Sequence, residues 1–117
     1  MKQILAVDDN SANLQMVRGI LQKLYQVTPV NNGERALQFL ERKTPDLILL
    51  DILMPEMDGL ETLKHIRKKS QVPVVIMTAD KTLDTSVEFA KFGCDDYLTK
   101  PFRYPVLQAH MEAVLRR

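Results

Sequence analysis

Cysteine is almost absent from this chain, because Cys94 is the single thiol among 117 residues. One cysteine excludes an internal disulfide framework and is typical of a protein kept in a reducing compartment. Neither a histidine nor a second cysteine lies near Cys94 in sequence. A packing role after Gly93 is therefore favoured over a reactive thiol.

Long apolar runs and an excess of one charge are also missing. No stretch approaches the ~18 apolar residues that a membrane span needs, and the N-terminus lacks the apolar segment of a signal peptide. Sixteen basic residues against fifteen acidic ones leave a net charge of +1. That balance gives no electrostatic reason to bind nucleic acid or an anionic membrane. We expect a cytoplasmic protein that contacts neither.

The length and one central stretch indicate a single α/β domain. Residues 1–117 are enough for one domain with its own core and too few for two. Leu47 to Leu50 form an unbroken aliphatic run that ends in Asp51, followed by a loop containing Pro55 and Gly59. Such a run predicts a strand buried on both faces, as in the centre of a parallel sheet.

Strands and helices alternate along the whole chain. Apolar or mixed runs predict five strands, at 3–7, 25–30, 47–51, 73–77 and 96–99. Helical spacing predicts five helices between and after them, with the fourth at about 82–92. Strict alternation favours a parallel sheet with helices on both faces. Strands two and five are mixed, and Pro29 lies in strand two, so both belong at the edges. The expected fold is doubly wound and flavodoxin-like, in the order 2-1-3-4-5.

Two local details accompany this prediction. Asn10 or Ser11 can cap the first helix, whose apolar positions include Leu14, Val17 and, at the far end, Leu24. The run 67–69 (Arg-Lys-Lys) at the end of the third helix is interpreted as solvated charge that complements the helix dipole.

Polar residues follow the strands where the carboxyl ends of a parallel sheet meet. Asp8 and Asp9 follow strand one, and Asp51 ends strand three. Three carboxylates about 5 Å apart repel one another by about 3–4 kcal/mol per pair at an effective dielectric near 20, which a cation would offset. Oxygen-only ligands favour Mg²⁺, and no histidine or cysteine stands beside these acids to recruit zinc.

Strands four and five add a hydroxyl and an ammonium to this edge, from Thr78 and Lys100. Together with a metal ion, these groups suit a phosphoryl group carried by Asp51, because a carboxylate can act as a nucleophile and form an aspartyl-phosphate. Lys100 would neutralise phosphoryl oxygens, and Thr78 would donate a hydrogen bond to one of them.

The sequence resembles the receiver domain of two-component response regulators, the CheY-like family, over essentially its whole length. The matching motifs are Asp8-Asp9, Asp51 with the following 54–59 (Met-Pro-Glu-Met-Asp-Gly), Thr78-Ala79 and Lys100-Pro101-Phe102. No element of this set is missing or substituted.

The resemblance implies roles for individual residues. Asp51 would accept phosphate from a phosphohistidine on a histidine kinase or a histidine phosphotransfer protein. Asp9 and Asp51 would ligate Mg²⁺ directly, Asp8 largely through water, and the Leu53 backbone carbonyl would complete the protein ligands. Thr78 and Lys100 would contact the phosphoryl group. The bond between Lys100 and Pro101 is expected to be cis, a minority state for X-Pro bonds.

The resemblance also implies a switch. Thr78 would move toward the phosphoryl group and Tyr97 would swing inward behind it, which changes the surface of helix four, strand five and helix five. Tyr97 is alternatively a half-buried residue of an edge strand. The changed surface would act on an output domain or partner that the sequence does not identify, and it is also a candidate homodimer interface. The domain would catalyse its own phosphorylation and dephosphorylation and would not turn over an external substrate.

Three other functions fit the residues less well. A Mg²⁺-dependent phosphatase of the haloacid-dehalogenase type also uses an aspartate nucleophile. Its nucleophile motif, however, is Asp-x-Asp, and this chain has Leu53 at the position of the second acid. A flavin-binding module shares the fold, yet the acidic loop after strand one would repel a phosphate. A phosphohistidine carrier would need His65 or His110, and both lie on predicted amphipathic helices as surface or packing residues. The sequence leaves open whether the chain is a complete regulator or part of a longer one.

Overall fold

The computed structural model describes residues 1–52, 59–78, 93–99 and 103–116. The elements in chain order are β1 (Lys2–Val7), α1 (Ser11–Leu21), β2 (Tyr25–Val30), α2 (Gly33–Arg42), β3 (Leu47–Asp51), α3 (Gly59–Lys69), β4 (Val74–Thr78), β5 (Asp96–Thr99) and α4 (Tyr104–Leu115). The helix predicted at 82–92 lies outside the described residues, so the predicted fifth helix is α4. None of the described helices is both long and apolar enough to span a bilayer.

The five strands form one parallel sheet in the order β2-β1-β3-β4-β5, which confirms the predicted fold. Alternate residues of β1, β3 and β4 enter two separate cores, one on each face of the sheet. In β3, for example, Leu49 packs with α1 and α4 on one face, whereas Leu50 packs with α2 and α3 on the other. All five residues of β3 are buried, as predicted for a strand covered on both sides.

Both edges of the sheet are the predicted ones. Pro29 lies in β2 opposite Ala6 of β1, and an edge strand tolerates a residue without an N–H because its outer side has no strand to bond. The short strand β5 forms the opposite edge beside β4.

The two ends of α1 settle two predicted details, the residue that caps the helix and the place of Leu24. Asn10 is the N-cap, because its side-chain oxygen accepts the Asn13 N–H at 3.1 Å. The helix ends at Leu21, so Leu24 lies beyond it and is 51% exposed. The prediction that Leu24 belongs to the buried face was wrong: Leu24 is the last of three turn residues after the helix, so it does not continue the stripe formed by Leu14, Val17 and Leu21.

The prediction that Arg67 is solvated charge was also wrong, because its guanidinium is hydrogen-bonded within the protein. Its guanidinium donates to the carbonyl oxygens of Gly93 at 2.8 Å, Val72 at 2.7 Å and Ser70 at 3.3 Å. It also pairs with Asp95 at 3.1 Å. We call this group the Arg67 clamp. The planar fork of an arginine can serve several acceptors at once, so α3 is joined here to the segment that leads into β5.

The same carboxylate extends the clamp into the sheet. Oδ2 of Asp95 accepts the Val74 N–H at 2.8 Å, and the Asp95 N–H donates to the Val74 carbonyl at 2.8 Å. Gly93, just before, has φ 87°, a left-handed conformation that glycine adopts without steric cost. The clamp therefore fixes where β5 begins relative to β4.

Gly59 brings the start of α3 against the end of β3. A Cβ atom at this position would lie 2.3 Å from the Ile52 Cα and 2.8 Å from the Asp51 carbonyl oxygen. The Gly59 N–H also donates to the Ile52 carbonyl at 3.0 Å. Glycine is required here because the two backbones touch.

Replacing Arg67 by alanine is expected to lower the free energy of unfolding by about 2–3 kcal/mol, since Asp95 and the carbonyl groups lose a half-buried charged donor. The stability of Arg67→Lys should lie between those of the wild type and Arg67→Ala, because an ammonium keeps the charge but cannot bond several acceptors as the planar guanidinium does. Urea unfolding measures both.

The control for this series is Arg116→Ala, which removes an exposed pair with Glu112 and should cost less than about 0.5 kcal/mol. Equal losses for Arg67→Ala and Arg116→Ala would show that the clamp contributes no special stability.

Gly59→Ala is expected to destabilise the protein by about 1–3 kcal/mol, because backbone atoms must move to admit the methyl group. Gly19→Ala is the matched control: Gly19 lies in α1, and a methyl group added there would meet nothing within 4 Å, so alanine should stabilise by about 0.5–1 kcal/mol through helix propensity. The unfolding temperatures of the two variants should shift in opposite directions. A shift in the same direction would contradict the close approach of the Gly59 and Asp51–Ile52 backbones.

Candidate functional site: a carboxylate cluster at the ends of β1 and β3

The strand register brings two acids side by side. Val7 of β1 pairs with Leu50 of β3, and the next residue of each strand is an aspartate, Asp8 and Asp51. Because both strands run in the same direction, both carboxylates emerge at the carboxyl edge of the sheet, between its two central strands. This is the switch point at which open α/β sheets bind ligands.

Asp9 completes a cluster of three. One carboxylate oxygen from each of Asp8, Asp9 and Asp51 lies within 4.8 Å of the others. Asp8 is 3% exposed and Asp51 is 5% exposed, whereas Asp9 is open to solvent. The predicted gathering of these three side chains is therefore present, with two acids sheltered from water and one at the rim. Burial strengthens their mutual repulsion, because water screens them less.

Backbone hydrogen bonds hold the cluster from both sides. The Asp8 N–H donates to the Val30 carbonyl at 3.2 Å, and the Ile52 N–H donates to the Met77 carbonyl at 3.4 Å. Oδ1 of Asp8 accepts the N–H of Asn10 at 2.9 Å, which orients the carboxylate just before α1 begins. The acids are thus carried by regular sheet structure and not by loops alone.

The donor set fits Mg²⁺. One carboxylate oxygen of each of Asp8, Asp9 and Asp51 lies within 4.8 Å of the others, so a single small cation could be held by this group. Within the described part of the chain, this is the one group of three or more Asp, Glu, His or Cys side chains with such proximity. Its ligands are all oxygens, as a hard cation prefers.

The remaining predicted site residues are placed only in part. Thr78 is the last residue of β4, paired with Thr99 of β5, so its backbone reaches the predicted edge. Tyr97 lies in β5 and is 42% exposed. The predicted Leu53 ligand, Lys100 and the cis bond to Pro101 lie outside the described residues.

Sequence reasoning missed the positioning role of Gly59. The sequence pattern indicated this glycine only as part of the loop after Asp51, although an isolated glycine can be the signal of a close approach between two backbone segments. The backbone contact between Gly59 and the Asp51–Ile52 segment now explains that signal. It sets the closing point of the loop that follows the buried carboxylate.

Cys94 and His110 both make structural contacts outside the carboxylate cluster. Cys94 packs against the core on the α2–α3 side, and burial raises the pKa of its thiol, with Asp95 and Asp96 adding to the shift. A raised thiol pKa disfavours the reactive thiolate. His110 contacts Asp96, with 2.5 Å between Nδ1 and Oδ2. These observations agree with the predicted packing and surface roles.

Comparison with known proteins gives a consistent result. A family model described as the response regulator receiver domain matches residues 4–112. The transcriptional regulatory protein ZraR of Klebsiella oxytoca is 43% identical over 96% of this chain and 26% of its own length. The alkaline phosphatase synthesis transcriptional regulatory protein PhoP of Bacillus subtilis is 37% identical over 99% of this chain and 49% of its own. The chain thus spans about a quarter to a half of these curated relatives.

Solved structures show the same fold. A two-component response regulator from Clostridium difficile has a TM-score of 0.95 at 32% identity, covering 100% of this chain and 98% of that one. The receiver domain of a sensor histidine kinase from Pseudomonas aeruginosa, with a magnesium ion coordinated in its active site cleft, has a TM-score of 0.90 at 32% identity, covering 99% and 98%. The sheet order, the acids at the switch point and the family match lead to one conclusion: this chain belongs to the response regulator receiver domain family.

Proposed function

We propose that the chain is a phospho-accepting switch in which Asp51 receives a phosphoryl group from a phosphohistidine. The donor would be a histidine kinase or a histidine phosphotransfer protein. The observation that carries this proposal is the cluster of Asp8, Asp9 and Asp51 at the switch point of the sheet, with oxygens within 4.8 Å. A purely structural acid would not need two further carboxylates beside it, since each adds repulsion.

Phosphoryl transfer needs one nucleophilic oxygen and an environment that stabilises the negative charge of the phosphoryl oxygens. An oxygen of Asp51 attacks the phosphorus, the phosphorus–nitrogen bond breaks, and its electron pair remains on the imidazole nitrogen of the donor. Water later hydrolyses the acyl phosphate and returns the carboxylate with inorganic phosphate. Asp51 is buried at the end of β3, so sheet hydrogen bonds position the residue that would receive the phosphoryl group. The domain promotes both reactions on itself.

Mg²⁺ is the proposed cofactor. Asp9 and Asp51 would bind it directly and Asp8 largely through water, with the Leu53 carbonyl as a further ligand. The bound ion would supply positive charge that offsets the acids and the phosphoryl oxygens during transfer. Support comes from the oxygen-only cluster and from the magnesium-containing receiver domain of the Pseudomonas aeruginosa kinase.

Thr78 and Lys100 are the proposed phosphoryl contacts. β4 and β5 are adjacent and parallel and pair at Thr78 and Thr99, and Lys100 follows Thr99 directly. A hydroxyl and an ammonium delivered from neighbouring strand ends would bind two different phosphoryl oxygens. The cis peptide bond expected before Pro101 belongs to the same proposal.

The proposed output is a change in the surface of the 82–92 segment, β5 and α4. Tyr97, 42% exposed on the edge strand, would turn inward as Thr78 moves toward the phosphoryl group. A new charge that biases a two-state element typically couples two sites by about 1–3 kcal/mol. The altered surface would act on an output domain or partner protein, or pair with a second copy. Curated relatives are transcriptional regulators that extend beyond this domain, and we place the signalling in the cytoplasm.

Asp9→Ala is expected to lower the affinity for Mg²⁺ by roughly tenfold or more, because a charged ligand is removed. Asp51→Asn should lower the Mg²⁺ affinity less. Isothermal titration with MgCl₂ measures both. Glu41→Gln is the control, because Glu41 is an exposed acid that pairs with Lys69 at the far end of α2 and should leave affinity unchanged. Unaltered binding in Asp9→Ala would remove this residue from the metal site.

Incubation with acetyl phosphate and Mg²⁺ is expected to add one phosphoryl group, detected as an intact-mass increase that EDTA abolishes. Asp51→Asn should show no increase, because an amide is not a nucleophile for this step. Asp46→Asn is the matched control: Asp46 lies before β3, where its carboxylate accepts the Gln3 N–H, and this variant should be labelled like the wild type. Persistent labelling of Asp51→Asn would assign the phosphoryl group to another residue.

A further inference from the structure

A groove lined by three arginines runs along the β2 edge of the domain. Its larger part, about 320 Å³, lies between α1 and the end of β2 and is lined by Arg18, Val30 and Arg35 among others. Its smaller part, about 220 Å³, shares Val30 and Arg35 and extends along α2 to Arg42. We call the two parts together the basic groove.

Among the described residues, no carboxylate lies within 4.0 Å of the three guanidiniums to form an ion pair with them. No ion pair or side-chain hydrogen bond within that part of the chain involves Arg18, Arg35 or Arg42. By contrast, Arg67 and Arg116 each contact an acid. Three cations around one concave surface raise the local positive potential, because a groove concentrates the field of its charges.

The spacing of the arginines indicates an extended ligand. Arg35 and Arg42 are seven residues apart on α2, which corresponds to about 10 Å along the helix axis. Arg18 lies on the opposite wall, on α1. One compact anion cannot reach both ends of such a row. An extended peptide, which rises about 3.3 Å per residue, can present carboxylates over this distance.

The basic groove also contains apolar surface that could contact the side chains of a bound peptide. It contains the apolar groups of Leu14, Val30 and Phe39, against which the stems of the arginines and of a bound peptide can pack. The edge strand β2 contains Pro29, which lacks an N–H. A partner would therefore be bound mainly through charge and apolar contact, and less by extending the sheet.

The charge of the whole domain favours an acidic polypeptide over nucleic acid. The net charge is only +1, whereas a nucleic-acid surface normally relies on a large basic excess. The groove also lies close to the acids, since the Val30 carbonyl at its centre accepts the Asp8 N–H. These acids would repel a long polyanion, which favours a short acidic segment that extends along α2 toward Arg42. We propose that the basic groove binds a short acidic segment of a partner polypeptide.

The test is fluorescence anisotropy with a labelled peptide of alternating Glu and Ser, and the same peptide with Gln in place of Glu. The full chain should bind the Glu peptide and not the Gln peptide. The triple variant Arg18→Gln, Arg35→Gln, Arg42→Gln should lose roughly tenfold in affinity, the sum expected for three exposed ion pairs, and raised salt should weaken binding similarly.

The control triple variant is Lys2→Gln, Lys68→Gln, Arg116→Gln, which removes three exposed positive charges elsewhere. It should retain affinity to within about twofold. Equal losses in the two triple variants, no binding by the wild type, or equal binding of the Gln peptide would each overturn the proposal. Tighter binding of a single-stranded oligonucleotide of equal charge through the same arginines would also overturn it. Thermal melts unchanged from the wild type exclude unfolding as the cause.

Discussion

The close approach of three carboxylates, those of Asp8, Asp9 and Asp51, is the constraint on which the rest of the site depends. Two of these carboxylates are almost fully buried, and nothing in the packing of the sheet requires three acids in one place. The cores on the two faces of the sheet hold β1 and β3, so the buried acids Asp8 and Asp51 cannot separate without loss of core contacts. An all-oxygen cluster held in this way could bind a divalent cation.

Helix α3 connects this site with the far edge of the sheet. Its first residue, Gly59, touches the backbone that follows Asp51, and the Arg67 clamp near its other end sets the start of β5. The strand that carries Tyr97 and the strand that carries the buried acid are therefore held by the same helix. Glycine and arginine are needed at the two contacts for different reasons: one allows a close backbone approach and the other bonds several acceptors.

The sequence was sufficient for the sheet order and the acid cluster, because both follow from patterns local to each strand. The apolar run ending at Asp51 indicated a central strand, Pro29 indicated an edge, and parallel direction placed the strand-end acids together. The errors concern contacts between distant segments. Leu24 fits the helical spacing but follows the last turn of α1, and Arg67 looked solvated because its acceptors, Gly93 and Asp95, lie far along the chain.

The most direct test of this account locates the phosphoryl group by chemistry. The protein is treated with acetyl phosphate, with or without Mg²⁺, and reduced with borohydride, which converts an aspartyl-phosphate to homoserine. Tandem mass spectrometry of the resulting peptides then identifies the modified position. The account predicts homoserine at position 51 only, and only when Mg²⁺ is present. Homoserine at position 8 or 9, or modification at position 51 that does not depend on Mg²⁺, would contradict it.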